Sequence, residues 1–286
     1  MLAEVLGCFA GRFGRVEPRR AAGQFVTGLL ADLEVKTCWQ LAEQAGHARP
    51  DAMQRLLYRA VWDADAVRDD LRQLIVERFG VPDAVLAVDE TGDLKKGMHT
   101  GVQRQYTGTA GRIETGQVGV FLGYASADGH TLIDRRVYLP ASWTDDRDRC
   151  AAAGVPDDIE FATKPGLAAD MITEALSAGV PAGWVAADEA YGNSAAFRAG
   201  LREHEIGYVL AVSAATWFPS TAAKPAFAPT RSPLTYPPRH GSAAAPAPDQ
   251  GTAFLRLGLA RRRVHRRRPR RRRPAQPPDP PQHHHR

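Results

Sequence analysis

The chain has 286 residues, 44% of them hydrophobic, and a formal net charge of +5, which is enough for one large domain or two ordinary ones. The charge is unevenly divided: residues 1–213 carry 22 Lys+Arg against 30 Asp+Glu, and residues 214–286 carry 15 against 2. Nucleic-acid binding through a generally basic body is therefore excluded, and any such argument falls to the tail. Cys8, Cys38 and Cys150 are widely spaced and form no CxxC pair, so they read as free thiols of a reducing compartment with no zinc site. No charged and apolar leader opens the chain and no apolar run is long enough for a bilayer. The expectation is a soluble cytoplasmic protein with no membrane partner.

Residues 1–80 read as a helical N-terminal domain. Phe25, Val26, Leu29, Leu30 and Leu33 recur at helical spacing, as do Val67, Leu71, Leu74, Ile75 and Phe79. Asp63 is placed to cap the last helix, and Gly80 and Pro82 close the segment. Between these runs, residues 37–46 and 51–59 form two short helical patterns around a turn bearing Gly46. This fits a helix-turn-helix with Gln54, Arg55 and Arg59 facing phosphates or bases. It fits equally a plain helical hairpin with Leu41, Leu56 and Leu57 as core, and the acidic surroundings favour that reading.

From 81 to 213 the pattern is mixed α/β. Strands are expected at 84–89, 117–125, 131–138, 184–188 and 207–212, and helices at 165–178 and 194–204, the latter capped by Asn193 or Ser194. Asp128-Gly129 is a hairpin signal, so the early strands form an antiparallel meander. The later strands alternate with helices and so pair in parallel. Two strands run into carboxylates: Val85-Leu86-Ala87-Val88 into Asp89, and Trp184-Val185-Ala186-Ala187 into Asp188. If those strands are neighbours, the two acids stand side by side, where they can share a divalent metal. Each also has a plainer reading, Asp89 as a turn former ahead of Thr91-Gly92 and Asp188 as part of the loop before the next helix. Glu90 and Glu189 follow the aspartates but point to the opposite face of a strand, and Asp93 has no better support as a further acid.

Several ordered segments carry a family resemblance: 88–92 with 94–97, Gly101–Thr109, Gln117–Val120, Leu139–Asp146, Gly154–Asp157 and Ala187–Gly192. Across roughly residues 15–213 the chain resembles the insertion-sequence transposases of the seven-hundred-one type, which are DDE superfamily endonucleases. The resemblance implies a ribonuclease H-like core, a mixed sheet with flanking helices, that uses Mg²⁺ or Mn²⁺ at an Asp, Asp, Glu triad. It maps the first two acids onto Asp89 and Asp188 as catalytic metal ligands. The family's glutamate lies beyond the last core strand, and nothing here matches it. The implied partners are double-stranded DNA at transposon terminal repeats, another copy of the chain or an intact transposase, with nucleoid association when DNA is bound.

Lys95, Lys96, Arg104 and Arg112 follow the first acidic strand among glycines at 92, 97, 101, 108 and 111, which suits a phosphate backbone; the plainer reading is a solvated loop. Residues 214–286 hold 14 of the 21 prolines, ten arginines between Arg261 and Arg273 and no glutamate. Such a segment is expected to be disordered. It is either a salt-sensitive nucleic-acid grip or the product of a shifted reading frame. The combined expectation is a DNA transposase, here an inactive remnant lacking its third acid. The alternative is a non-catalytic protein that occupies transposon ends or inhibits intact transposase.

Overall fold

The computed structural model describes residues 1–97 and 100–213 and the backbone of 253–256. Five helices come first: α1 (Leu2–Cys8), α2 (Val16–Leu30), α3 (Cys38–Gln44), α4 (Asp51–Tyr58) and α5 (Ala64–Phe79), with a 3₁₀ turn at Ala10–Arg12. Thr37 closes a capping box with Gln40 at the start of α3. Leu41, Ala42 and Met53 pack between α3 and α4 with Phe25 of α2. Leu56 is buried with Phe9 and Phe13, whereas Leu57 is exposed. Leu57 therefore leaves the expected hairpin core, because Met53 and Leu56 already fill the inner face of α4. Leu29 and Leu30 are likewise exposed at the end of α2.

Asp63 caps α5 as its position predicts, its carboxylate accepting from the N–H groups of Asp65 and Ala66. Asp63→Ala is expected to cost about 1 kcal/mol, read as a lower urea midpoint with an unchanged slope. Asp63→Asn, which keeps the acceptor, should stay close to the parent.

The remainder is a mixed sheet with helices against it: β1 (Val85–Leu94), β2 (Gln103–Thr107), β3 (Arg112–Ser126), β4 (Gly129–Tyr138), α6 (Ala141–Thr144), α7 (Arg147–Ala152), α8 (Lys164–Ser177), β5 (Trp184–Ala187), α9 (Glu189–Gly192), α10 (Ala195–Glu203), β6 (Gly207–Val212) and β7 (Ala253–Arg256). The strand order is β2-β3-β1-β5-β6-β7, with β4 also on β3. β3 pairs antiparallel with β1, β2 and β4, while β1, β5 and β6 are mutually parallel. Ser194 caps α10 through the N–H of Phe197. Alternation fixes the core face: Leu86 and Val88 of β1, Val120, Leu122 and Tyr124 of β3, Val185 of β5 and Leu210 of β6 bury against Met171 and Ile172 of α8 and Phe197 and Leu201 of α10.

Two expectations change here. Residues 103–107 form a strand, not a loop, held by the Gln105 side-chain amide donating to the carbonyls of Gly101 and Gly116. Within the segment expected to be disordered, Ala253–Arg256 pairs antiparallel with β6; the rest of 214–286 lies outside the described residues. Among the described residues no helix is long and apolar enough to cross a membrane.

The helical region is joined to the sheet through charge. A register shift between Leu122 and Gly123 of β3 leaves Ile133 and Asp134 of β4 as consecutive buried residues. The Asp134 carboxylate accepts from Arg68 of α5 at 3.0 Å and from the N–H of Arg135 at 2.7 Å. Arg72 of α5 is also buried, with its Nη1 3.9 Å from Asp134 Oδ2.

Candidate active site

The two acidic strand ends meet where the parallel pairing stops. Val85 to Val88 of β1 are in register with Trp184 to Ala187 of β5, so Asp89 and Asp188 occupy the next register position. β1 does not end at Asp89, as its sequence predicts, but runs to Leu94 because β3 continues beside it. Gly92 permits this course: a Cβ there would lie 2.5 Å from Cβ of Thr107. Asp89 is thus an exposed mid-strand residue rather than a turn former, on the face opposite Leu86 and Val88. It accepts from the N–H of Glu90 at 2.8 Å. Asp188 caps α9, accepting from the N–H of Ala190 at 2.9 Å. Partial desolvation raises the Asp188 carboxyl above its ordinary value, and the negative charges of Glu90 and Asp89 raise it further against the pull of that N–H bond.

Glu90 points to the core side of β1 and is committed there. Its Oε1 accepts from Lys164 Nζ at 2.6 Å and its Oε2 from the Tyr191 hydroxyl at 2.6 Å. Tyr191 is fully buried. Burial pushes its phenol far above the usual value, and the Glu90 carboxylate adds to this. α9 is pressed against β6, since a Cβ on Gly192 would lie 1.9 Å from the carbonyl oxygen of Ala211. Lys164 stands outside the segments the sequence picks out, and Tyr191 enters only as part of Ala187–Gly192. The one signal for Lys164 was its place in the first turn of α8, ahead of Pro165.

A sequence profile of the family described as DDE superfamily endonuclease matches residues 8–274. The chain belongs to the DDE superfamily endonucleases. The match runs past residue 213 into the tail, where no resemblance is expected from the sequence motifs. One relative is described as a probable transposase for insertion sequence element IS701, from Microchaete diplosiphon. It is 32% identical over 188 residues, which is 65% of this chain and 46% of the relative. The chain thus spans less than half the length of that relative.

The basic candidates of this DDE chain that follow Asp89 lie along neighbouring strands, with the Lys95 N–H bonded to the Thr115 carbonyl and Thr115 opposite Arg104 in the β2–β3 register. Lys95 lies six residues beyond Asp89, roughly 20 Å along the strand at about 3.3 Å per residue, and its Nζ donates to Gln117. Lys96 follows it, exposed. Arg104 is exposed on β2. Arg112 is the register partner of Thr107, which packs on Gly92, but its guanidinium pairs with Glu114 at 2.7 Å. In the helical region Gln54, Arg55 and Arg59 are exposed at α4, and Arg55 and Arg59 line a cleft with Arg15 and Glu17.

The donor set fits a hard divalent cation in part. Mg²⁺ takes one or two carboxylates and leaves its other positions to water and phosphate. Asp89 and Asp188 supply such a pair, and their charges oppose one another. Glu90 is already neutralised by Lys164. Among the described residues no group of three Asp, Glu, His or Cys side chains is arranged to hold a metal ion.

Proposed function

We propose that this chain is an insertion-sequence transposase core of ribonuclease H-like type that engages transposon-end DNA, with Asp89 and Asp188 holding Mg²⁺ or Mn²⁺. The supporting observation is the consecutive register of β1 and β5, which ends at both aspartates in a member of the DDE endonucleases. When bound, the metal would polarise a phosphoryl oxygen and lower the pKa of an attacking water. The protein's part is to hold the two carboxylates at one sheet edge. Lys95, Lys96, Arg104 and Arg112 track the DNA backbone, and Gln54, Arg55 and Arg59 form a second contact on the helical region. Among the described residues no group of three metal-binding side chains is arranged to hold an ion. In this reading the chain binds ends without turning over, as an occupant of those ends or a partner of intact transposase.

The test incubates the full chain with duplex carrying the element's terminal repeats and with unrelated duplex, each with Mg²⁺ or Mn²⁺. The expected result is preferential binding to the ends with no strand cut. Equal binding to both duplexes would sink the transposase reading. Cleavage that disappears in Asp89→Ala would sink the non-catalytic part of it. Arg55→Ala and Arg59→Ala should each weaken binding across sequences and reduce the slope of log affinity against log salt by about 1.

A further inference from the structure

We infer that Lys164, Glu90 and Tyr191 form a clamp that sets the spacing of Asp89 and Asp188, so that Glu90 is a positioning residue and not a third metal-binding acid. The inference rests on the metal reading of the two aspartates. Glu90 adjoins Asp89 on β1, and Tyr191 stands three residues after Asp188 on the single turn that Asp188 caps. The Tyr191–Glu90 hydrogen bond spans 101 positions of sequence. It joins the two elements next to the acids themselves. A buried phenol strongly requires a partner, and Glu90 supplies it with the oxygen that Lys164 does not use.

The parts of the clamp are individually immobilised. Tyr191 stacks at a tilt on Phe197, with ring centroids 6.0 Å apart. Gly192 holds α9 against β6. Lys164 lies in the first turn of α8, whose Met171 and Ile172 fill the core. Its side chain and that of Glu90 are 21% and 15% exposed, so this ion pair is shielded more than a surface pair. Both Glu90 oxygens are occupied, and its charge is balanced by Lys164. Asp89 and Asp188, by contrast, form no ion pair among the described residues and accept only from backbone N–H groups there. Outer partners that orient metal-binding groups commonly affect metal affinity without touching the ion.

The experiment measures Mn²⁺ binding to the full chain by water-proton relaxation, for the parent, Asp89→Asn, Tyr191→Phe and Lys164→Met. A thermal melt of each shows that binding is read on folded protein. Tyr191→Phe removes only the hydroxyl and is expected to weaken Mn²⁺ binding about 10–100-fold. Lys164→Met should weaken it too, although it adds net negative charge to the site. This sign separates the alternatives, because a Glu90 released to act as a ligand would leave affinity unchanged or increase it. Unchanged or tighter binding in both variants, with Asp89→Asn still losing Mn²⁺, would overturn the clamp alone. Parent-like binding by Asp89→Asn would remove the metal reading and the clamp with it.

Discussion

Asp134→Ala is expected to lower stability by about 3–5 kcal/mol, the cost of leaving a buried charge without its partner. For a domain of this size that is a fall of roughly 10 °C in the melting midpoint. Asp134 is fully buried on β4, and Arg68 and Arg72 reach it from α5 with side chains only 13% and 9% exposed. Arg68 keeps Asp69 and Asp65 as partners; Arg72 shares Asp69 through Nη2 at 2.7 Å, but its Nη1 has no hydrogen-bond partner among the described residues and faces Oδ2 of Asp134. Removing the aspartate leaves Nη1 of that guanidinium facing no carboxylate at the junction of the helices and the sheet, with Asp69 alone on Nη2. Asp134→Leu with Arg72→Met, which removes both charges, should lose less than Asp134→Ala alone. A loss below about 1 kcal/mol for Asp134→Ala in urea denaturation would refute the account, since it would match an exposed ion pair.

The outer part of this cluster gives a pH signature. Arg135 hydrogen-bonds Asp65 and holds its carboxyl below the ordinary value, with Arg68 and Arg136 adding to the effect. A depressed acid contributes stability that is fully present above its unfolded pKa of about 3.9. That contribution is lost as pH falls through the lower folded value. The stability difference between the parent and Asp65→Asn should therefore be present at neutral pH and shrink only below about pH 4. A difference that persists unchanged into stronger acid would count against this linkage.

What the sequence disclosed about this fold follows the range of each signal. The alternating run of β3 and the Asp128-Gly129 turn are local, and the hairpin forms there, although β3 starts at Arg112, ahead of the expected 117–125. The helix caps at Asp63 and Ser194 are local too. Gln103–Thr107 reads as loop because glycines flank it and few of its residues favour strands. It is a strand only because β3 extends far enough to pair with it. Ile133-Asp134 breaks alternation through a register shift that no single-strand pattern reveals. At the candidate site Asp89 and Asp188 were legible because each ends an apolar run. The Glu90 contacts were not, since Lys164 and Tyr191 lie 74 and 101 positions away and follow no shared period. Lys95 and Lys96 follow β1 where it continues past Asp89 as an extended strand, a course the sequence does not reveal.

Asp89→Asn should change two observables in opposite directions, and that pairing distinguishes a metal site from a structural aspartate. The change removes one of two carboxylates available to a divalent ion, so Mn²⁺ affinity should fall by more than the roughly 10–100-fold expected of an outer partner. In the absence of metal the same change removes a negative charge that would face a phosphate backbone, so duplex DNA should bind more tightly and most clearly at low salt. Asp188→Asn should act likewise, while the asparagine oxygen still accepts from the N–H of Ala190 and preserves the cap on α9. Asp89 is exposed, and among the described residues its hydrogen bond is a local one to the N–H of Glu90, so neither effect should be accompanied by a large loss of stability. A side chain that merely shaped the backbone would move neither Mn²⁺ nor metal-free DNA affinity. Parent-like values for both in the two variants would therefore remove Asp89 and Asp188 from the chemistry and leave DNA binding to the basic side chains.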